Sequence, residues 1–377
     1  MRIVVAIDSF KGSLSSLEAG NAVKEAALRI NNESEVSVHP LADGGEGTVE
    51  ALSKGLGGKL VETEVKGPLC KPVKAKYAIL KDNTAVIEMA AASGITLLKP
   101  DERNPLLTTT YGVGELIKDA MLKGCRSFIV GIGGSATNDG GVGMLMALGF
   151  EFLDKNGKSI PLGAIGLEKL DRISNKNVMP ELALCEFKIA CDVTNTLCGE
   201  KGCSAVFGAQ KGATPKMIKQ MDLWLSRYAE ITKTVNPKAD PDFSGAGAAG
   251  GLGFAFLSFT DAELRSGVEI VLQETSIEEY IKNADLVITG EGRLDSQTVM
   301  GKAPIGIARL AKKYGKRVIA FSGCVTEDAE ICNEHGIDAF FPIVRGVTSL
   351  EQALNPTNAY KNLKSTAYQV LRLIIMQ

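Results

Sequence analysis

Strand-like runs of apolar residues alternate with helically spaced apolar positions at both ends of the chain. Near the start, an apolar run over residues 2–7 precedes a helical stripe behind the capping box at 15–18, and a second run covers 35–41. The end of the chain repeats this alternation, with strands predicted over 284–289, 317–321 and 337–344. Such alternation is typical of a parallel sheet with helices on both faces. The two ends together therefore predict the five strand–helix units of a flavodoxin-like, doubly wound parallel sheet.

The middle of the chain has a different pattern. Short runs of alternating polarity predict antiparallel strands over 61–65, 73–80 and 84–89. Helical spacing returns near 114–122 and over 215–235. We therefore predict an α/β protein in which a second α/β domain with a mixed sheet interrupts the flavodoxin-like sheet.

The length of the chain supports this division, since 377 residues are more than one hydrophobic core usually holds. We predict that residues 1–58 and 284–377 are the two parts of the flavodoxin-like domain. Residues 59–283 are then the inserted α/β domain with the mixed sheet.

Charge and composition narrow the classes of partner. The formal net charge is -2 and no basic run occurs, which argues against a nucleic-acid partner. No apolar stretch approaches the ~20 residues that a membrane-spanning helix needs, so we expect no membrane association. The eight cysteines include no Cys-x-x-Cys pair, and we expect reduced thiols in a cytoplasmic protein. With only two histidines, acid–base chemistry is expected from carboxylates or lysine.

One stretch, residues 126–152, contains parts of a dinucleotide-binding fingerprint. An apolar strand leads into Gly-x-Gly-x-x-Ala over 131–136, and Glu151 follows at the spacing of the acid that binds the ribose. However, the Asn-Asp-Gly-Gly sequence at 138–141 interrupts the helix that the fingerprint requires. The carboxylate of Asp139 would also be a poor neighbour for a pyrophosphate. We therefore reject a nicotinamide site and predict a glycine turn for another anion.

Glycine and acidic residues follow three strands of the predicted flavodoxin-like sheet, over 8–13, 42–48 and 290–298. Ligands of doubly wound sheets bind at the carboxyl ends of the strands, where glycine turns present N–H groups to anions. Lys11 would add a mobile charge for phosphate, although an ordinary surface lysine explains that residue alone equally well. Carboxylates beside a phosphate require a hard cation between them. Three such loops together therefore predict Mg²⁺ and phosphoryl transfer.

The inserted domain adds three polar or glycine-rich loops, over 133–141, 191–195 and 244–253. The last loop is nearly free of side chains, and a flexible linker or tight helix packing explains this composition about as well as a functional loop does. No Walker A sequence occurs, because Gly301-Lys302 is followed by Ala-Pro, and the protein-kinase signatures are absent too. The residues alone thus indicate a two-domain, metal-dependent enzyme that acts on a small anion or a phosphate.

The order of these segments resembles the bacterial glycerate kinases of the type I family over almost the whole chain. The segments that carry the resemblance are 8–13, 42–48, 88–94, 133–143, 191–195, 206–213, 245–253 and 290–298. The resemblance implies ATP-dependent phosphorylation of D-glycerate by one flavodoxin-like and one unlike α/β domain. Thr196 and Ala209 stand where the family pattern has proline, and neither change removes a charged or metal-binding group.

Within these segments we predict four groups of site residues. The catalytic group is Lys11, Asp43, Asp192, Glu291 and Asp295. The group for the phosphates of ATP is Gly44, Gly45, Gly133, Gly134 and Ser135. The group for glycerate is Ser9, Arg293 and Lys211, and the Mg²⁺ ligands are Asp43, Glu46 and Asp192. The guanidinium of Arg293 matches a carboxylate in shape, but a surface residue at a helix start is an equally good interpretation.

The product favoured by the sequence is 2-phosphoglycerate over 3-phosphoglycerate. Phosphorylation at C2 requires the glycerate carboxylate to be held beside the γ-phosphate, and these loops supply the cations and backbone donors for that. Members that resemble this chain are also commonly 2-kinases. An NAD-dependent 2-hydroxyacid dehydrogenase and a non-enzymatic sugar-acid sensor are the alternative functions. The sequence does not decide between a monomer and a homo-oligomer.

Overall fold

A computed structural model describes residues 1–41 and 47–376 of the chain. These residues form two compact units. The first unit contains residues 1–41, 50–56 and 268–376, and the second contains residues 47–49 and 57–267. Among the described residues, no helix combines the length and the apolar character needed to cross a membrane.

The strands and helices are numbered separately in chain order. The strands are β1 (Arg2–Ile7), β2 (Glu35–Val38), β3 (Lys59–Lys66), β4 (Pro72–Ile79), β5 (Thr84–Glu88), β6 (Ser127–Gly131), β7 (Glu151–Leu153), β8 (Arg172–Ser174), β9 (Glu186–Ala190), β10 (Asp261–Arg265), β11 (Leu286–Leu294), β12 (Arg317–Val325) and β13 (Ala339–Pro342). The helices are α1 (Ser16–Ile30), α2 (Thr48–Leu56), α3 (Ala90–Ser93), α4 (Tyr111–Leu122), α5 (Val142–Ala147), α6 (Cys203–Phe207), α7 (Pro215–Val235), α8 (Ala248–Phe259), α9 (Gly267–Glu274), α10 (Ile277–Lys282), α11 (Ala303–Lys313), α12 (Ile331–Glu334), α13 (Leu350–Leu354) and α14 (Pro356–Ile375).

The sheet of the first unit is parallel throughout, in the order β13-β12-β11-β1-β2. Counted along the chain, this is the order 2-1-3-4-5 of flavodoxin-like sheets, which confirms the predicted fold class. In the register, Ile7 on β1 lies beside Gly290 on β11. The carboxyl ends of these two strands are therefore neighbours, and residues that follow them come together.

The helices of the first unit form where apolar stripes and caps predict them. Ser15 and Glu18 complete the capping box of α1, and the alanine-rich face behind them is buried. The small side chains of this face let α1 pack beside α14, where Lys364 pairs with Glu25 at 2.5 Å. Together they cover one face of the parallel sheet, as a doubly wound fold requires.

The sheet of the second unit is mixed, in the order β10-β9-β6-β5-β4-β3. Strands β3, β4 and β5 are antiparallel neighbours, whereas β5, β6, β9 and β10 run parallel. Strands β7 and β8 form a separate antiparallel pair. Both the mixed sheet and the class of this unit agree with the prediction.

Strand β11 ends five residues later than the run 284–289 predicts, because it continues to Leu294. The reason is the close approach of β12: a Cβ atom on Gly290 would lie 2.0 Å from the carbonyl oxygen of Phe321. Only glycine allows the two backbones to stay paired at this position. Glu291 and Arg293 therefore belong to a strand, although the sequence predicts a loop for them.

Candidate active site

The first group of predicted site residues follows β1. Asp8 is buried, its amide donates to the carbonyl oxygen of Gly290 at 2.9 Å, and its carboxylate accepts from the amide of Ser9 at 2.7 Å. Lys11 lies exposed in the turn after Phe10. A Cβ atom on Gly292 would lie 3.4 Å from the amide nitrogen of Lys11, so the turn after β1 rests on the end of β11.

Glu291 lies on this end of β11 and is nearly buried. Its Oε1 accepts from the hydroxyl of Thr298 at 2.7 Å, and its Oε2 accepts from the ammonium group of Lys302 at 3.2 Å. Burial raises the pKa of Glu291 above its ordinary value, while the hydrogen bonds from Thr298 and Lys302 act in the opposite direction. A carboxylate in this setting is suited to proton transfer, because its affinity for a proton is increased.

Asp295 joins the same cluster from the turn after β11. Its Oδ2 lies 3.2 Å from Nε of Arg293, and its Oδ1 lies 3.6 Å from Nζ of Lys302. The side chain of Arg293 is 64% exposed, so only part of its guanidinium is engaged by this pair. The structure thus brings together the predicted residues Glu291, Arg293 and Asp295.

Lys302 is the member of this cluster that the sequence analysis does not predict. Gly301-Lys302 is set aside there only because Ala303 does not complete a Walker A sequence. The useful signal was the position of a cation seven residues after Asp295 and directly before a helix. That spacing indicates a contact between Asp295 and Lys302 only once the short helical turn over Thr298–Met300 is known, because this turn brings the two positions together.

The second group of predicted residues lies on the loop after β6. The loop is held by the segment after α3, because the amide of Ala136 donates to Ser93 and the amide of Ile95 donates to Gly134, each at 2.9 Å. Gly133 and Gly134 are exposed. Within residues 1–41 and 47–376, the amides of Gly133, Gly134 and Ser135 donate no hydrogen bond. They can therefore bind an anion without breaking a contact of the loop.

The buried carboxylate of Asp139 holds the end of this loop in place. Its carboxylate is buried and accepts from the amide and hydroxyl of Thr110 at 2.8 and 3.0 Å, and from the amides of Gly141 and Gly143 at 3.2 and 3.3 Å. Burial raises the pKa of Asp139, and these hydrogen bonds oppose that effect. Helix α5 starts only at Val142, after this turn. The local geometry therefore differs from that of a dinucleotide fingerprint.

Lys211, predicted to bind substrate, lies beneath the same loop with 2% of its surface exposed. Its ammonium group donates to the carbonyl oxygen of Thr137 at 2.6 Å. Burial lowers the pKa of Lys211 to about 8. In this structure, Lys211 is therefore a support for the loop and does not present its charge at the surface.

Asp192 follows β9, the strand next to β6, and is exposed. Its Oδ1 accepts from the amide of Gly267 at 3.1 Å. A carboxylate on an exposed residue that follows a strand is the type of ligand that Mg²⁺ prefers. Asp43, Gly44, Gly45 and Glu46 lie outside the described residues.

The glycine-rich stretch 244–253 packs tightly and is not a linker. The amide of Gly247 donates to Asn195, and Gly250 accepts from the amide of Gly140, both at 2.9 Å. A Cβ atom on Gly250 would lie 2.1 Å from the carbonyl oxygen of Thr137. The start of α8 thus braces the loops after β6 and β9, which leaves no room for side chains.

Comparisons with known proteins identify the family and the fold of this chain. A model of the glycerate kinase family matches residues 3–375. A glycerate kinase of Haemophilus influenzae is 49% identical over 375 residues, which cover 99% of both chains. A glycerate 2-kinase of Escherichia coli is 46% identical over 364 residues, or 96% of this chain and 95% of that protein. A solved structure from Salmonella typhimurium LT2, assigned as a glycerate kinase 2, superposes with a TM-score of 0.92 at 47% identity, and the match covers 100% of this chain and 98% of that one.

Proposed function

This chain belongs to the glycerate kinase family, and we propose that it transfers the γ-phosphoryl group of ATP to the C2 hydroxyl of D-glycerate. The observation that carries this proposal is a match to glycerate kinases over nearly the whole chain, including a relative named for phosphorylation at C2. The enzyme is a phosphotransferase with an alcohol group as acceptor, and ATP is its cosubstrate. Because it uses ATP, we place it in the cytoplasm.

We assign the phosphates of ATP to the loop after β6. The amides of Gly133, Gly134 and Ser135 supply donors for anionic oxygen atoms, and Ala136 and Asn138 behind them are buried. Gly44 and Gly45 are proposed to add further donors. A rigid set of backbone donors suits phosphoryl transfer, which depends on positioning and charge stabilisation more than on covalent catalysis.

We assign Mg²⁺ to Asp192, Asp43 and Glu46. The exposed carboxylate of Asp192 fits this role, since Mg²⁺ takes one or two protein carboxylates together with phosphate oxygens. When bound, Mg²⁺ neutralises charge that develops on the transferred group and on the leaving ADP. The protein carboxylates would hold the ion and orient it.

We assign glycerate to the residues after β1 and at the carboxyl end of β11. The exposed guanidinium of Arg293 pairs with the glycerate carboxylate, and the hydroxyl of Ser9 binds the substrate as a neutral partner. Lys11 contributes positive charge for the transferred group. Lys211 takes part indirectly, through the carbonyl group of Thr137.

The chemical step follows from these assignments. The C2 oxygen of glycerate bonds to the γ-phosphorus, the bond from that phosphorus to the β,γ-bridging oxygen breaks, and ADP leaves with the electron pair. The hydroxyl proton passes to the carboxylate of Glu291, whose proton affinity burial increases. Asp295 keeps Arg293 in position during the transfer.

Two measurements test this function. An assay coupled to ADP release, run with D-glycerate and related hydroxy acids, should show activity that depends on D-glycerate and on Mg²⁺. Phosphorus NMR of the product should show coupling to a single proton, as at C2. Coupling to two protons would mean 3-phosphoglycerate. Oxidation of NADH in the presence of hydroxypyruvate would instead identify the dehydrogenase alternative, and binding without turnover would identify a sensor.

A further inference from the structure

Lys302 lies between the two carboxylates at the end of β11. Its ammonium nitrogen is 3.2 Å from Oε2 of Glu291 and 3.6 Å from Oδ1 of Asp295. The hydroxyl of Thr298 contacts the other oxygen of Glu291 and also accepts from the amide of Asp295 at 3.2 Å. The segment between β11 and α11 thus folds back so that one cation contacts both carboxylates, while the hydroxyl of Thr298 links the carboxylate of Glu291 to the backbone of Asp295.

The location of Lys302 is unfavourable for a lysine with no further role. It is the residue that precedes α11, and positive charge near a helix N-terminus opposes the helix dipole. An exposed ion pair would contribute little to compensate for this. The side chains of Glu291 and Asp295, however, are only 10% and 14% exposed, so the attraction between them and Lys302 is weakly screened.

We infer that Lys302 is a positioning residue for the phosphoryl transfer, and that it acts by holding the carboxylates of Glu291 and Asp295 in place. Without its charge, two acids would face each other at the end of one strand with no cation between them. They would separate, or one would take up a proton. In either case the geometry around Glu291 and Arg293 would change. This inference rests on the proposed role of Glu291 in the reaction.

The inference has a consequence for the pH dependence of the enzyme. The charged and titratable groups that act on Glu291 are Lys302 and Asp295, with Cys332 on α12 nearby, and Arg293, on the same strand as Glu291, pairs with Asp295. Of these, Lys302 is the cation that opposes protonation of Glu291. Its removal should raise the pKa of Glu291 further, so that activity is lost at a higher pH as the solution is acidified.

The experiment compares kcat and KM for D-glycerate across pH for wild type, K302M and K302R. We expect K302M to lower kcat roughly tenfold at neutral pH and to move the acidic limb of the kcat profile to higher pH. K302R keeps the charge and should restore most of both properties. A profile of K302M that has the wild-type acidic limb would overturn the inference, whatever its kcat.

A matched control exists on the same helix. Lys312 of α11 pairs with Asp338 at 2.6 Å and is 37% exposed, close to the 35% of Lys302. Asp338 precedes β13 and therefore lies at the opposite edge of the sheet. K312M removes a lysine of similar exposure from the same helix, although its carboxylate partner Asp338 is 46% exposed, and it should leave kcat, KM and the pH profile unchanged. Thermal melts of all variants check that the fold is retained.

A double-mutant cycle separates this inference from the proposed function. If Lys302 acts through Glu291, adding K302M to E291Q should cost much less activity than adding it to wild type. Equal losses in the two backgrounds would overturn the inference while leaving Glu291 in its role. Wild-type kinetics for E291Q itself would instead contradict the proposed function of Glu291.

Discussion

The ammonium group of Lys211 lies 2.6 Å from the carbonyl oxygen of Thr137; Thr137 is buried within the loop after β6, and Lys211 is buried beneath that loop. A lysine is rarely buried without a carboxylate directly against it, so the free energy of unfolding should depend on its charge. This dependence yields the first prediction.

The stability contributed by position 211 should rise with pH. The pKa of Lys211 is about 8 in the folded protein and near its ordinary value of 10.5 in the unfolded chain. Below pH 8 both states carry the charge, and the cost of burying it is fully present. Between pH 8 and 10.5 the unfolded chain binds more protons, so stability increases across this window. Urea unfolding of wild type and K211M at pH 7, 8 and 10 measures how the difference in their free energies of unfolding changes with pH.

At pH 10, the free energy of unfolding of K211M should also be lower than that of wild type by about 1–3 kcal/mol, because the carbonyl group of Thr137 is left without its donor. K216M, at an exposed position on α7, is the control and should show neither effect. A difference between wild type and K211M that is the same at all three pH values would contradict the prediction.

Asp139 should be a major determinant of stability. In D139N one oxygen can still accept, but the NH2 group would place donor hydrogens either against the amide of Gly141 or against the amide of Gly143 and the hydroxyl of Thr110. We expect a loss of about 3 kcal/mol in the free energy of unfolding. The exposed Asp171 offers a control, since D171N makes the same chemical change without this network. Equal unfolding midpoints for the two variants would show that the hydrogen bonds around Asp139 matter little.

Gly134 should be required for binding ATP. Its φ of 73° is left-handed, and an alanine there would strain the backbone by roughly 1–2 kcal/mol. The added methyl group would also lie 3.4 Å from Cβ of Ala90, which tightens the packing behind the loop. We expect G134A to raise KM for ATP severalfold, measured in the ADP-release assay.

G315A separates backbone strain from loss of function. Gly315 has a φ of 63°, and nothing lies within 4 Å of a Cβ atom built there. G315A should therefore lose similar stability while KM for ATP stays at the wild-type value. If both variants change KM alike, general loosening of the fold explains the result, and the phosphate-binding role of Gly134 is wrong.

Asp192 should be needed for turnover and dispensable for folding. In D192N the amide oxygen can still accept from Gly267, so the fold should be retained. Loss of a charged ligand for Mg²⁺ should lower kcat by about 100-fold or more. We expect the same of D43N. D261N changes an exposed acid at the start of β10 and should behave as wild type. Normal kinetics of D192N at saturating Mg²⁺ would remove it from the metal site.

The sequence alone was sufficient for the class of both sheets, parallel and flavodoxin-like in one and mixed in the other. Strand runs and helical stripes are local properties, and a parallel strand with a covering helix has few ways to pack. The order β13-β12-β11-β1-β2 and the mixed second sheet follow from such patterns. The extension of β11 to Leu294 does not, because it depends on contact between Gly290 and Phe321, which are far apart in the chain.

For the site, the sequence determined the types of residue and the strand ends that carry them. Glycine beside carboxylate at several strand ends indicates anion and metal chemistry, since few purely structural needs select that combination. For 244–253, composition left open a functional loop, a flexible linker and tight helix packing. The backbone contacts of Gly247 and Gly250 show that the stretch is tightly packed.

The tertiary structure alone decided which charged groups face solvent and which face each other. Lys211 and Arg293 are both cations in glycine-rich segments, yet one is buried under a carbonyl group and the other is 64% exposed. Lys302 joins Glu291 only because a helical turn brings positions eleven residues apart within hydrogen-bonding distance. Burial and pairing depend on distances between segments, and these distances set the pKa and the role of each group. Local sequence patterns do not determine these distances.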